Sequence, residues 1–414
     1  MPVSDALEDI YRRDGRKVFA TLVRLLGGFD PAEEALHDAF RIAADRWPTE
    51  GVPRNPVAWL VSAGRFRAID RMRRERRLVS LDDAVDAVEA EPDPAALPGE
   101  QDGLEDDQLR LIFTCCHPSL AEEARIALTL REVCGLATEA IARAVLVTQS
   151  ALAQRIVRAK AKIRDARIPY HVPDADELPE RLPSVLRVIY LIFNEGYAPS
   201  SGERATNPTL SREAIRLARL LRTLLPEPEV AGLLGLMLLQ ESRRMAREAA
   251  AGAFISLEEQ DRTLWDRAAI AEGQALVEQA LRSGRIGSYT LQAAIAAVHG
   301  DARSWADTDW TQIVGLYDAL LRLEPSPVIA LNRAVAVAMR DGAVTGLALI
   351  DELMRLPELA QYVPGHAARA DLCRRAARYD EARDAYRKAL ALSDQQPAIR
   401  YFQQQLDRLP VPGG

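Results

Sequence analysis

A chain of 414 residues exceeds one typical hydrophobic core, so roughly two to four domains are expected. It is 48% hydrophobic but only 6% aromatic, and rich in Ala, Leu and Arg, a composition of packed helices rather than sheets. The net charge of −7 excludes a surface that binds nucleic acid all over, and 4 cysteines in so long a chain exclude a disulfide framework.

The opening MPVSDALEDIYRRD is charged and amphipathic, without the apolar stretch of a signal peptide. Leu7, Ile10, Tyr11, Phe19, Leu22 and Leu26 follow helical spacing until Gly27-Gly28 interrupts it. Pro31 then sits in the first turn of a second helix, PAEEALHDAFRIAADRW, which Pro48 is expected to end. A loop, TEGVPRN, leads to a third helix, PVAWLVSAGRFRAIDRMRRERR, and these three helices make a first domain over residues 1–77. Residues 78–107 read as an acidic linker: from Leu78 to Gln108 there is no Lys or Arg, while Asp and Glu accumulate up to Asp107. Basic stretches flank it, Arg71–Arg77 before and Arg155–Arg167 after, and local basic faces rather than net charge decide where a polyanion binds.

Helices resume near Glu105, and a second domain spans 108–170. Its end reads as a helix-turn-helix. Thr138 and Glu139 start a short helix that turns Ile141 and Ala142 inward, Leu146 and Val147 form the turn, and Thr148 caps the second helix. Leu152, Ile156 and Ala159 share one face of that helix, which leaves Gln154, Arg155, Arg158, Lys160 and Lys162 for DNA. Laid in a major groove, such a helix brings Gln149, Ser150 and its other early residues to base edges and its later cations to phosphates.

After a break at IPYHVPDADELPERLP comes a helical extension over 180–300, with apolar stripes at Ser184–Asn194, Ser211–Leu225, Glu229–Ala250, Leu257–Ser283 and Ser288–His299. Val230–Leu239 is the strongest apolar run and is too short to cross a bilayer, so the chain is expected to be cytoplasmic, with no membrane partner. Over 301–410 a degenerate repeat sets Ala334 over Ala370, Gly346 over Ala382 and Ile350 over Tyr386. The offset of 36 residues is near the ~34 of tetratricopeptide helix pairs. The fold class expected is therefore all-α: two small helical domains, then a large tetratricopeptide-like helical extension. Asn194, Glu195 and Tyr197 read either as a helix stop, with Gly196 as left-handed cap and Pro199 beyond, or as a contact site.

Cys115-Cys116-His117 lacks the two-residue gap and the second ligand pair of a metal site, and reads as buried small hydrophobes with a His near a helix end. No nucleotide loop, Ser/His/Asp grouping or metal-binding His pair occurs, so no enzyme, cofactor or metal is expected.

Residues 5–170 resemble a bacterial sigma factor of the extracytoplasmic-function type, of the subgroup with a long C-terminal extension ending in tetratricopeptide-like helices. AEEALHDAFRIAADRW is similar to the helix with which such factors grip the coiled coil of the largest subunit of core RNA polymerase. That match places Glu33, Glu34, Asp38, Phe40 and Arg41 at polymerase-binding positions. AQRIVRAKAKIR looks like the Arg-rich recognition helix of the family. PVAWLVSAGRFRAIDRMRRERR resembles the helix that engages and melts the downstream promoter element. A melted strand needs a surface for an unstacked base, supplied by Trp59 and the loop Thr49–Asn55. It also needs cations on its backbone, supplied by Arg65, Arg67, Arg71, Arg73 and Arg74. Phe66 departs from the pattern, standing where many members carry a polar residue, usually Asn. YLIFNEGYAPSSGE is similar to a signature of the subgroup, whose extension takes the regulatory part of a separate anti-sigma factor.

The resemblance implies an alternative sigma factor with core RNA polymerase and promoter DNA as partners. Its C-terminal helices would bind a protein partner or fold back on the chain. Two rival readings are a one-component helix-turn-helix regulator with a ligand- or partner-sensing helical domain, and a helical-repeat scaffold. The first gives no reason for the motif at 32–47, and the second makes the basic helices incidental and predicts no specific DNA binding.

Overall fold

The computed structural model describes residues 3–79, 101–145, 147–198, 206–247 and 254–410, whose regular elements are helices, with no β-strand among the described residues. Two compact units divide the chain, Met1–Val188 and Ile189–Gly414.

In the first unit, α1 (Val3–Leu26), α2 (Phe29–Glu50) and α3 (Pro56–Val79) pack mutually. Each contributes one apolar stripe: Phe19 and Leu22, Leu36 and Trp47, and Leu60 are all buried. Gly27, at φ 72°, turns the chain between α1 and α2. Gly64 lets α3 cross close to α2, since a Cβ there would lie 2.8 Å from the Ala35 carbonyl oxygen. Pro48 does not end α2. It lies inside the last turn, and the helix runs on to Glu50, stopped by Gly51 at φ 84°. A proline so near a C-terminus removes a single backbone hydrogen bond, to the carbonyl of exposed Ala44, which water can satisfy. The expected loop thus shortens to 51–55, and Asn55 accepts from the Ala58 N–H (3.1 Å) to open α3.

Helix α4 (Gln101–Cys115) begins earlier than expected, so the residues before 108 are not all linker; positions 80–100 lie outside the described residues. Asp107, counted with the acidic linker, is instead fully buried and paired with Arg24 of α1 (2.7 Å) and Arg110 (2.6 Å). Then follow α5 (Glu122–Leu128), a π-helical turn (Thr129–Val133), α6 (Thr138–Ala144) and α7 (Gln149–Asp165). Helices α5 and α6 both pack on α7, giving the expected helix-turn-helix; Leu146 of its turn lies outside the described residues. Helix α8 (Leu178–Tyr197) joins this unit through Arg181, which donates to the Phe113 carbonyl (3.1 Å), and Ser184, which donates to that of Cys116 (2.6 Å).

In the second unit, α9 (Pro208–Leu224), α10 (Pro228–Glu241), α11 (Arg267–Arg282) and α12 (Ser288–Asp301) precede helix pairs α13 (Trp310–Leu323), α14 (Pro327–Asp341), α15 (Ala343–Leu353), α16 (Val363–Arg375), α17 (Tyr379–Leu392) and α18 (Gln396–Arg408). The apolar run Val230–Leu239 is the buried centre, with α9, α11 and α12 around it. No described helix is long and apolar enough to cross a membrane. Glu229 caps α12, accepting from the N–H groups of Gly287 (3.1 Å), Tyr289 (3.0 Å) and Thr290 (3.1 Å). The repeat positions Ala334, Ile350, Ala370, Ala382 and Tyr386 share one core, and Gly346 abuts Ala338.

Two expected helices are shorter than their stripes. Helix α10 stops at Glu241 rather than reaching Ala250, and α11 starts at Arg267 rather than Leu257. The apolar residues between them, Ala246 and Trp265, are buried from a loop that two aspartates punctuate. Asp261 accepts from the Thr263 N–H, and Asp266 from those of Ala268 and Ala269.

Gly196 is no left-handed cap either. Helix α8 continues through it to Tyr197, and it is buried where α9 crosses, with a Cβ placed 2.3 Å from the Ser211 nitrogen. Backbone rather than a flexible side chain stands in the way. Gly196→Ala is therefore expected to destabilise the second unit by about 1–3 kcal/mol, read as a lower thermal midpoint. An unchanged midpoint would contradict this close crossing of α8 and α9.

Candidate nucleic-acid interface

Helix α7 is built to present one polar face. Thr148 accepts from the Ala151 N–H (3.2 Å) at its start, while Leu152, Ile156, Ala159 and Ile163 are buried. Gln149, Ser150, Gln154, Arg158 and Lys162 are exposed and Arg155 is half-buried. Arg155 and Arg158 form no ion pair with a described residue, so both guanidinium groups remain available to an outside anion. Lys162 donates to the Ser119 carbonyl. Sequence reasoning missed Val157, 65% exposed between Gln154 and Arg158; an apolar side chain so uncovered on this face suits a thymine methyl.

Lys160 departs from its expected place on the DNA-facing surface. Its side chain is only 13% exposed, and its Nζ lies 3.1 Å from Glu132, 3.2 Å from Asp30 and 3.7 Å from Glu33. Burial lowers its pKa, but the carboxylates of Glu132 and Asp30 outweigh that and raise it overall. Glu132 is fully enclosed, and burial raises its pKa against the opposing pull of Lys160.

On α3, Trp59 is half-buried, its ring meeting that of Trp47 edge-on at 5.3 Å, and Phe66 is 41% exposed. With Ile42, Arg46, Ser62 and Arg67 they line a small cleft of about 80 Å³, where the buried Ser62 Oγ has no hydrogen-bond partner among the described residues. Arg65, Arg67 and Arg73 are exposed and unpaired with any described residue. Arg74 pairs with Asp70 (2.6 Å), and Arg71 with Glu34 (2.7 Å) and Asp38 (3.7 Å). Arg71 thus braces α3 against α2 as well as facing outward. The loop half of the expected base surface shrinks to 51–55, because Thr49 and Glu50 belong to α2.

On α2, Glu34 and Arg41 are exposed, Asp38 is half-buried and bonded to Arg41 (2.9 Å), and Phe40 lies edge-on against Tyr11 of α1 (5.0 Å). Glu33 is half-buried and bonded to Arg131 (2.5 Å). Neither Arg131 nor Glu132 stands out in the sequence as a site residue, although two charges set in the apolar run ALTLREVCGL are a signal that something pairs with them.

In the second unit Tyr197 is held on three sides. It stacks on Phe193 (5.5 Å), Arg247 lies 3.6 Å over its ring, and Arg243 donates to its hydroxyl (3.0 Å). Asn194 and Glu195 are half-buried beside it. Tyr197 therefore ties the end of α8 to the segment after α10. Cys115 and Cys116 are buried, and burial pushes the Cys116 thiol up to about 11.

Comparison with known families finds three matching stretches. Residues 10–78 match sigma-70 region 2, residues 110–163 match sigma-70 region 4, and residues 181–281 match a family of unknown function, DUF6596. An uncharacterized protein of Rhizobium meliloti (strain 1021) is 44% identical over 396 residues, covering 95% of this chain and 93% of the relative. Regions 2 and 4 are those through which a sigma factor binds core RNA polymerase and promoter DNA, without covalent chemistry of its own. With both regions in order, a recognition helix in the second and a helical extension behind them, the chain belongs to the sigma-70 factors, as a transcription-initiation factor of the extracytoplasmic-function type with a long C-terminal extension.

Proposed function

We propose that the chain is an alternative sigma factor that directs core RNA polymerase to its own set of promoters, with the C-terminal half as a fused regulatory module. The observation that carries this reading is the unpaired, exposed face of α7, where Gln154, Val157 and Arg158 stand beside Arg155 on a capped helix. In this reading residues 1–77 bind polymerase through Glu33, Glu34, Asp38, Phe40 and Arg41. The same domain captures the opened strand with Trp59, Phe66 and the arginines of α3. Residues 108–170 read the upstream element as duplex, with Gln149, Ser150 and Gln154 at base edges and Arg155, Arg158 and Lys162 nearer phosphates. Residues 180–300 and 301–410 form the control module, where Asn194, Glu195 and Tyr197 stabilise its first helix against the rest.

The test is binding of the purified chain to core RNA polymerase, followed by transcription from candidate promoters. The full chain is compared with one ending after Val188. Stoichiometric binding with new promoter-specific transcripts is the expected result, and the truncation gives the sign of C-terminal control. Tight duplex binding without any polymerase association would favour the one-component regulator instead.

A further inference from the structure

We propose that the cleft between the α1–α2 turn and the end of α7 binds a small organic anion, a molecule with an apolar body and an acidic head. This goes beyond the sigma reading and does not depend on it.

The cleft has a volume of about 590 Å³, within the roughly 300–1,000 Å³ of sites that take small organic ligands. Its walls are largely apolar, with Val23 of α1, Phe29 and Pro31 of α2, Ile163 of α7 and Ile168 beyond it. Thr114 and Tyr170 also line it, but their hydroxyls already donate to the carbonyls of Arg110 (2.8 Å) and Ala20 (2.9 Å). Polar recognition therefore falls to the charged side chains.

Among these, cations outnumber carboxylates. Arg24, Lys160, Arg164 and Arg167 line the cleft, against Asp30 alone. Arg24 is balanced from outside it by Asp107 (2.7 Å), and Arg164 by Asp165 (3.1 Å). Lys160 is shared between Asp30 (3.2 Å) and Glu132 (3.1 Å). Arg167 is exposed and pairs with no described residue. A concave surface with apolar walls and one sign of charge concentrates the opposite charge from solution. The first turn of α2 adds to this, because Gly28 has no side chain with which to cap its N–H groups.

Arg167 also holds a backbone position suited to glycine. Helix α7 ends at Asp165, and the chain turns through Arg167 at φ 49°. The Arg167 N–H bonds to the Arg164 carbonyl (3.1 Å) and the Ile168 N–H to that of Ile163 (2.9 Å). Glycine is the usual residue at such a left-handed helix end because it has no Cβ to clash. Arginine costs stability there and gains no ion pair among the described residues. A cation kept in a strained conformation beside an apolar cleft is accounted for by a ligand that it contacts.

The chemistry of the ligand follows from these groups. An aromatic or branched aliphatic body covers Val23, Phe29, Ile163 and Ile168, while a carboxylate, sulfonate or phosphate head meets Arg167. Such a ligand touches α1, α2 and α7 together, so its binding free energy favours the arrangement in which the three are packed.

The probe for the test is anilinonaphthalenesulfonate, titrated into the full chain and followed by fluorescence. N-phenylnaphthylamine, which has the same rings without the sulfonate, is titrated beside it. One saturable site per chain for the sulfonate is expected. Arg167→Glu should weaken the sulfonate about tenfold and change the neutral probe less than about twofold. Arg167→Gly separates a binding role from a structural one. It relieves the left-handed strain, so the thermal midpoint should rise by about 2 °C while sulfonate affinity falls about threefold. Should Arg167→Glu fail to fold, Arg167→Gly carries the test alone. Equal sulfonate binding by wild type and the folded variants overturns the site and puts the probe on other apolar surface. A parallel loss of both probes overturns it too, since charge then plays no part. So does a folded wild-type chain that binds no sulfonate. None of these measurements involves polymerase or promoter DNA, so their failure leaves the sigma reading intact.

Discussion

Truncating Trp47 to alanine is expected to remove about 3–5 kcal/mol from region 2 and to abolish polymerase and promoter binding together. Trp47 is among the largest fully buried side chains, set where α2 and α3 meet, with Trp59 edge-on at 5.3 Å. Nothing near it can collapse into so large a void without moving one of the two helices. Small domains have roughly 5–15 kcal/mol of stability in all, so the loss is a large fraction of the total. Denaturant unfolding followed by circular dichroism measures it directly. Trp59→Ala is the informative contrast. Trp59 is half-buried, so its truncation should leave α2 and polymerase binding largely in place while weakening capture of the opened strand. A midpoint for Trp47→Ala within about 0.5 kcal/mol of wild type would contradict the packing described.

The second large effect belongs to α7. Replacing Arg155 and Arg158 together by alanine should weaken promoter binding by the polymerase complex about a hundredfold, on the order of 1–3 kcal/mol for each guanidinium removed. It should also flatten the slope of log affinity against log salt by about 2, since each neutralised phosphate contributes about 0.9. Neither arginine is tied to a described carboxylate, so removing them leaves no buried charge behind and the helix should remain folded. Lys160→Ala is expected to behave differently. Its ammonium is spent on Asp30, Glu33 and Glu132, so its loss strands a buried Glu132 and lowers the stability of region 4. An unaltered salt slope in the double arginine variant would place the phosphate contacts elsewhere.

Much of the architecture is legible residue by residue. Gly27, Thr148 and the buried row Leu152, Ile156, Ala159 mark the turn, cap and inner face of their elements, because these signals act within one or two helical turns. The departures share another origin. Pro48 reads as a stop, yet the hydrogen bond it forgoes falls at an exposed carbonyl in the final turn. Gly196 reads as a cap, yet its missing Cβ serves the approach of α9. Asp107 belongs by composition to an acidic linker, yet Arg24, 83 positions away, pairs with it inside the core. For Gly196 and Asp107 a partner distant in sequence overrides the local preference, and for Pro48 the solvent does.

The same division holds for function. The sequence by itself determined that the chain is helical, which two segments carry the sigma-type motifs, and which helix carries the basic polar face. Periodicity, caps and charge runs are short-range properties written in adjacent residues. Only the tertiary structure decided which of the cations on α7 are available. Arg155 and Arg158 are left unpaired, while Lys160, two positions on from Arg158, faces three carboxylates. Whether a charge is spent or free depends on what burial removes from water and which opposite charge the fold brings within a few ångströms, and no window of sequence contains both.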